Sequence, residues 1–270
     1  MIEFIATVLG ATLRISTPIL LSGLGETLIE RAGILNLGIE GTMLLAAFNG
    51  FVVAQTTGSL FAGLAAAMLT GVVLGLLMGF LTVTLGLNQH VSGLGITLLA
   101  SGLALFSFRL LYGGASTPPS LPESFRVIPI LSGTPLGPVL SQYGLTYLAL
   151  LLVPVLSLAI TRTTFGLRLR AVGENPEAAD MAGINVYRMR YLALIIGGAL
   201  IGLGGAFLSL AQLGAFTHGI ISGRGWVAIA IVIFGNWQPV KVLAGALLFG
   251  GLQALQLRLQ AEGVPLPYEA

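Results

Sequence analysis

Eight continuous apolar runs, most of them long enough to cross a lipid bilayer, constrain this chain more than any other feature. A hydrocarbon core about 30 Å thick needs roughly 20 apolar residues of helix to span it. The runs are Met1 to Leu24, Met43 to Val53, Leu60 to Leu85, Val91 to Tyr112, Tyr143 to Ile160, Tyr191 to Leu213, Trp226 to Phe234 and Val242 to Leu257. They lack the alternation of polar and apolar residues that marks a barrel, so each is read as a helix that satisfies its own backbone. Charged residues make up only 8% of the chain, against about a quarter in a soluble domain. The expectation is an all-α, polytopic integral membrane bundle of about eight spans, a single domain over residues 1–270, in a cell membrane.

The 38 glycines imply close helix contact, because small residues let backbones approach where lipid supplies no hydrophobic drive. Gly71, Gly75 and Gly79 share one helical face, as do Gly198 and Gly202. The absence of cysteine excludes disulfides and thiolate metal sites, and a net charge of +2 gives no reason to expect nucleic acid. There is no G-x-x-x-x-G-K-[ST] phosphate loop, no serine elbow and no H-E-x-x-H. With two histidines far apart and one aspartate, neither a catalytic triad nor a metal cluster can be assembled from sequence. A non-enzyme without a cofactor is expected.

Thr161 to Arg190 is the one long polar interruption, and it holds five of the twelve basic residues, Arg162, Arg168, Arg170, Arg188 and Arg190. Arginines beside spans stay on the cytoplasmic side, so the 161–190 loop is placed inside the cell. Asn175 is a good helix cap, Pro176 suits the first position, and Glu177 and Asp180 sit near the positive end of the dipole. Ala178, Ala179, Met181 and Ala182 favour helix, and Gly183 supplies a left-handed stop. This predicts a helix of roughly two turns, too short to stand alone. Either it rests on its own bundle or it docks on a partner.

Other polar breaks are fewer. In GETLIERAGILNLGIEG, residues 25–41, Glu26, Glu30 and Arg31 share one side of a helix before Gly33, Gly38 and Gly41 interrupt it. That is either a broken helix lining a cavity or a loop between spans. Asn88, Gln89 and His90 form an uncharged polar group, with His90 either on a solute path or on the surface. Residues 113–142 hold six prolines and few charges, which reads as an external, turn-rich loop, either a receptor site or an ordered cap. Thr217 to Gly225 is a further break, and Pro154 is expected to kink its span. Met1 to Leu24 reads as a retained first span. Arg14 within it must face the bundle, pair with a carboxylate or lie near an interface.

A solute path would be lined by Asn36, Glu40, Asn88, Gln89, Gln212 and Thr217, with His90 and His218 as additions; pure packing polarity is the alternative for each. Uncharged groups of this kind suit a solute bearing hydroxyls and amides.

Four of these stretches resemble one family. Glu177-Ala178-Ala179, three residues and Gly183 resemble the EAAxxxG coupling loop of permease subunits of ATP-binding-cassette (ABC) importers. Glu30, Arg31, Gly33, Asn36, Gly38, Glu40 and Gly41 match, seven positions in twelve, the E-R-x-G-x-x-N-x-G-x-E-G signature of the branched-chain and simple-sugar permease family, above all its nucleoside members. Asn88 to Gly93 resembles N-Q-x-V-S-G, and Phe216 to Trp226 with Phe234 to Pro239 resembles the same family, so the likeness runs from about Arg14 to Gly251. The resemblance implies an importer subunit for nucleosides or simple sugars. It also implies cytoplasmic ABC ATPase subunits seated on Glu177, Ala178, Ala179, Asp180 and Gly183, a second permease, and an external solute-binding protein. Relatives usually continue with further apolar sequence where this chain ends Pro265 to Ala270, so a terminal helix is expected to be missing. A stand-alone, ion-coupled carrier or channel using Glu40 and Arg14 is the alternative.

Overall fold

In a computed structural model, which describes residues 2–113, 119–130, 134 and 137–261, every one of the eight apolar runs is helical. They form α1 (Ile2–Arg31), α2 (Ile39–Thr57), α3 (Leu60–Gly79) and α4 (Gln89–Tyr112). A four-residue turn, α5 (Gly137–Leu140), precedes α6 (Gly144–Arg162), α7 (Thr164–Glu174), α8 (Pro176–Met181), α9 (Val186–Ala206), α10 (Arg224–Phe234) and α11 (Pro239–Ala261). α3 and α9 each finish in a π-helical turn, Phe80–Thr84 and Phe207–Gln212. Among the described residues, six helical stretches are long and apolar enough to cross a membrane, beginning at Phe4, Leu60, Gln89, Gly144, Val186 and Pro239. The other two apolar runs are α2, with 19 residues, and α10, with only 11.

Polar side chains set the helix starts. Ser59, Asn88, Thr163, Asn175 and Asn185 each accept a hydrogen bond from an amide in the first turn that follows, filling donors the helix cannot satisfy itself. The first span runs further than its apolar sequence does. α1 continues past Leu24 through Glu26, Glu30 and Arg31, because each of these finds a partner within the bundle. Pro18 and Pro154 lie inside α1 and α6.

Glycine sets the spacing. Gly71 and Gly198 pack backbone to backbone across α3 and α9, and a methyl at either would overlap the other's carbonyl. Gly75 meets the Leu194 carbonyl, whose oxygen would be only 2.5 Å from an added Cβ, and Gly202 meets Ala67. The same device joins α1 to α9 at Gly25 and Gly197, and α1 to α11 at Gly250 and Ser16.

These contacts also give helix direction. α1 and α9 run antiparallel, Gly25 beside Gly197 and Ser22 beside Gly204. α3 runs antiparallel to α9 as α11 does to α1, while α2 runs parallel to α9 (Met43 at Gly205, Ala47 at Ser209) as α10 does to α1 (Ile231 at Gly23, Trp237 at Glu30). The set α1, α2, α3 thus recurs, pointing the other way, as α9, α10, α11. This is the inverted-repeat pattern of many transporters.

The proline-rich segment is an ordered cap where it is described. Val127–Ile128 pairs antiparallel with Gln142–Tyr143, Leu121 donates to the Gly214 carbonyl at 2.7 Å and Phe125 to the Leu210 carbonyl at 3.0 Å. Residues 114–118, 131–133 and 135–136 of that loop lie outside the described residues, as do Pro265 to Ala270. Gly10 of α1 packs on Pro138, so the start of α1 lies at the cap end and α8 at the opposite end. Arg14 pairs with no carboxylate among the described residues: its Nε donates to Gln142 Oε1 at 3.2 Å and its Nη2 to the Ser141 carbonyl at 3.0 Å. It anchors the cap.

Candidate functional site

Two helix breaks meet inside the bundle. The first is Ala32 to Gly38, between α1 and α2. It turns back into the bundle, because the Asn36 amide donates at 2.9 Å to Oε1 of Glu26, five residues before the end of α1 and so roughly 7.5 Å inside it. Glu26 is fully buried and Asn36 is 4% exposed. The break is braced from three sides. Asn36 Oδ1 accepts from Gly38 at 3.0 Å, Gln89 accepts from Leu35 at 2.8 Å while donating to the Gly33 carbonyl at 3.2 Å, and Thr97 donates to the Leu37 carbonyl at 2.9 Å. Irregular backbone at this depth persists only where protein supplies its hydrogen bonds, and here it does.

The second break is Leu213 to Gly223, between the end of α9 and α10. Phe216 is buried against Phe48, Phe51 and Phe108 at centroid separations of 5.2, 6.3 and 5.5 Å. Seven residues later Gly223 lies level with Glu40, so the segment moves along α2 by roughly 12–17 Å. Arg224 stiffens its end by donating from Nη1 to the Ile220 and Ile221 carbonyls at 3.1 and 2.9 Å.

Glu40 is where the breaks join. Its carboxylate accepts from the Gly223 amide at 2.9 Å and the Gly225 amide at 2.7 Å, so a side chain on the first turn of α2 caps α10. A Cβ on Gly225 would stand 2.7 Å from the Glu40 Cα. One carboxylate therefore ties the first inverted half to the second.

At the far end of α1, Glu30 accepts from the Trp237 indole, Arg31 donates to the Trp237 carbonyl at 3.2 Å, and Arg190 donates to the Ala32 carbonyl at 3.3 Å. Asn236 and Trp237 have positive φ, 51° and 53°, so the turn before α11 is held in a conformation costing roughly 1–2 kcal/mol per residue. Gly33 packs against Gly173 with 3.2 Å between a would-be Cβ and the Gly173 Cα, seating α7 directly on the break.

α7 carries α8, the predicted loop helix. Asn175 Oδ1 accepts from Ala178 at 3.0 Å, Pro176 opens the helix, and the Ile184 amide closes it on the Ala179 carbonyl at 3.0 Å. Gly183 has φ +80° and open space where a Cβ would be, so glycine is required there for conformation and not for packing. Ala179 alone of the helix is buried, at 3%, while Glu177, Ala178 and Asp180 are exposed and Met181 is 91% exposed.

The residues read as a solute path from sequence are thus dispersed. Asn36, Glu40 and Gln89 are braces, Asn88 caps α4 beside an exposed His90, Thr217 is exposed on the second break, and Gln212 has a buried Oε1 with no partner among the described residues. Sequence reading passed over Glu26 and Trp237 as braces, although a buried glutamate in an apolar helix is itself a signal. It also passed over Gln253 and Gln256, two amides three residues apart in an apolar run.

Comparison with known proteins agrees with this architecture. The chain is 42% identical over 98% of its length to 81% of the putative glucose ABC transporter permease protein TsgC13 of Haloferax volcanii. It is 38% identical over 95% of its length to 83% of the guanosine ABC transporter permease protein NupQ of Bacillus subtilis. It is also 36% identical over 87% of its length to 77% of the nucleoside ABC transporter permease protein NupC of Lactococcus lactis. The model of the family described as branched-chain amino acid transport system / permease component matches residues 8–266, and with six helices of membrane-spanning length this multi-pass membrane chain belongs to that family.

Proposed function

We propose that this chain is the membrane-spanning permease subunit of an ATP-driven importer for nucleosides or simple sugars, paired with a second permease, two cytoplasmic ATPase subunits and an external solute-binding protein. The observation that carries the reading is α8. It is a capped helix at the end of the bundle opposite the cap, held by one buried side chain and presenting Glu177, Ala178, Asp180 and Met181 outward. A helix that spends so little of its surface on its own fold is free to seat in a partner. Its base, α7, rests on Gly33 and Arg31, so a push on α8 reaches the first break directly and, through Glu40, the second. The relatives' names, ABC transporter permeases for glucose, guanosine and nucleosides, support the ATPase partnership and the solute class.

An ion-coupled carrier would draw on Glu40 and Arg14. Glu40 lies on backbone amides and Arg14 on Gln142 and Ser141, so the geometry gives that alternative no pair to work with.

The test is co-purification of the detergent-solubilised chain with an ATPase, wild type against Gly183→Trp. Recovery of ATP hydrolysis with wild type and its loss with the variant is the expected result. A wild-type chain that purifies alone and moves solute in vesicles without ATP would overturn the proposal.

A further inference from the structure

We infer that a cavity of about 310 Å³ between the second break and α11 is a contact site for an uncharged solute bearing hydroxyl and carbonyl groups, with Gln253, Gln256 and Arg224 as its polar contacts. The inference rests on the transport reading and names where solute touches this subunit.

The cavity has Val227 and Phe249 on its apolar side and Ser222, Arg224, Gln253 and Gln256 on its polar side. Gln253 and Gln256 stand three residues apart, on one face of α11, and neither side chain hydrogen-bonds to another described residue. α11 is long and apolar enough to cross the membrane. An amide on such a helix is costly against lipid, so a face carrying two of them must meet something polar. Arg224 is fixed by its bonds to Ile220 and Ile221, and its buried Nε has no partner among the described residues. Ser222 is held at φ +49°, a conformation that a non-glycine residue adopts at a cost and that clusters at ligand sites.

Two larger grooves show what a lipid-facing or helix-facing surface looks like in this chain. One, of about 510 Å³, is lined by Leu77, Leu81, Val91 and Leu99; the other, of about 440 Å³, by Ile231, Phe234 and Leu248. Both are almost wholly apolar. The smaller cavity differs in chemistry, and it lies against irregular backbone, where transporters of inverted-repeat design place their solute sites. Its volume is at the lower end of the small-molecule range.

The groups present decide the class. Two amides offer both donors and acceptors, and Ser222 and Arg224 add donors. The guanidinium already serves two carbonyls and has the Glu40 carboxylate nearby to balance its charge, and no carboxylate among the described residues lines the cavity. A neutral, polyhydroxylated solute with a carbonyl edge or ring nitrogen satisfies that set without leaving a charge buried.

The chain has no cysteine, so an introduced cysteine is the only thiol on this subunit, and labelling is read on its own band. In proteoliposomes holding the assembled transporter, Gln253→Cys and Gln256→Cys should react with a membrane-impermeant thiol reagent, and either guanosine or glucose should slow that reaction at least tenfold. Leu248→Cys, 60% exposed on the apolar groove, should stay unreactive. A Gln253→Leu, Gln256→Leu double variant should raise the KM of uptake about tenfold while the assembly retains ATP hydrolysis. Inert cysteines, labelling that neither solute slows, or an unchanged KM would overturn the inference. So would loss of the second permease from the purified double variant, which would make the face a subunit contact. Solute protection needs binding alone, so it stays readable even if uptake by wild type proves independent of ATP and the importer reading fails.

Discussion

The junction at Glu40 and the loop helix α8 are built from the same kinds of residue, asparagine, glutamate, glycine and small apolar side chains, yet they end in opposite surroundings. At the junction the broken backbone is held from inside the bundle: Glu26, Gln89 and Thr97 hold the first break and the Glu40 carboxylate caps α10. At α8 the helix answers its own ends through Asn175 and Gly183 and leaves its sides exposed. The difference teaches that a polar interruption in an apolar chain has no fixed meaning. What fixes it is whether neighbouring helices supply partners for its backbone.

If the junction is structural and α8 is a docking element, substitutions at the first should lower stability and those at the second should lower transport at normal stability. Gly225→Val should have the largest effect. With a Cβ 2.7 Å from the Glu40 Cα and 2.8 Å from its backbone nitrogen, neither of which can swing aside, it should cost about 3 kcal/mol or more, and little folded protein should elute from a sizing column. Glu40→Ala comes next. Two partly buried amides lose a charged acceptor, which should cost about 2–4 kcal/mol and show as a drop in Tm in detergent, with Glu40→Gln retaining part of the loss because one carbonyl remains.

Across the comparison, Ala179→Asp should free α8 by placing a charge at its single buried contact. Uptake should be abolished while Tm falls by less than in Glu40→Ala, because only a peripheral helix is released. Asn175→Ala removes one cap and should cost about 1 kcal/mol locally, seen as several-fold weaker ATPase binding with Tm unchanged. A comparably small effect is expected from Gly183→Ala, where φ +80° costs about 1–2 kcal/mol and open space rules out a clash. Should Gly183→Ala destabilise the fold as much as Glu40→Ala, the two regions are not distinct and the comparison breaks.

The helices were legible because their signals are local. Apolar length gave the spans, the Gly71 and Gly198 spacings gave the faces that seam α3 to α9, and Asn175, Pro176 and Gly183 gave the bounds of α8 almost to the residue. The candidate site was read less well. Asn36, Glu40 and Gln89 look like path-lining groups in sequence, since nothing local says that Gln89 will find Gly33 and Leu35, or that Glu40 will find amides more than 180 residues away. Arg14 shows the same limit. Its charge within an apolar run announced a need for partners, and only the cap could show that these would be Gln142 and Ser141.

By itself, then, the sequence determined the class: an all-helical membrane bundle with one exposed, self-capped helix, because spanning length, helix caps and glycine faces depend on residues within a few turns of each other. The tertiary structure alone decided that two breaks share one carboxylate, that α1 to α3 recur in reverse as α9 to α11, and which amides stand unanswered on α11. Those depend on which backbone groups are brought within about 3 Å across the bundle, and no short-range pattern encodes that distance.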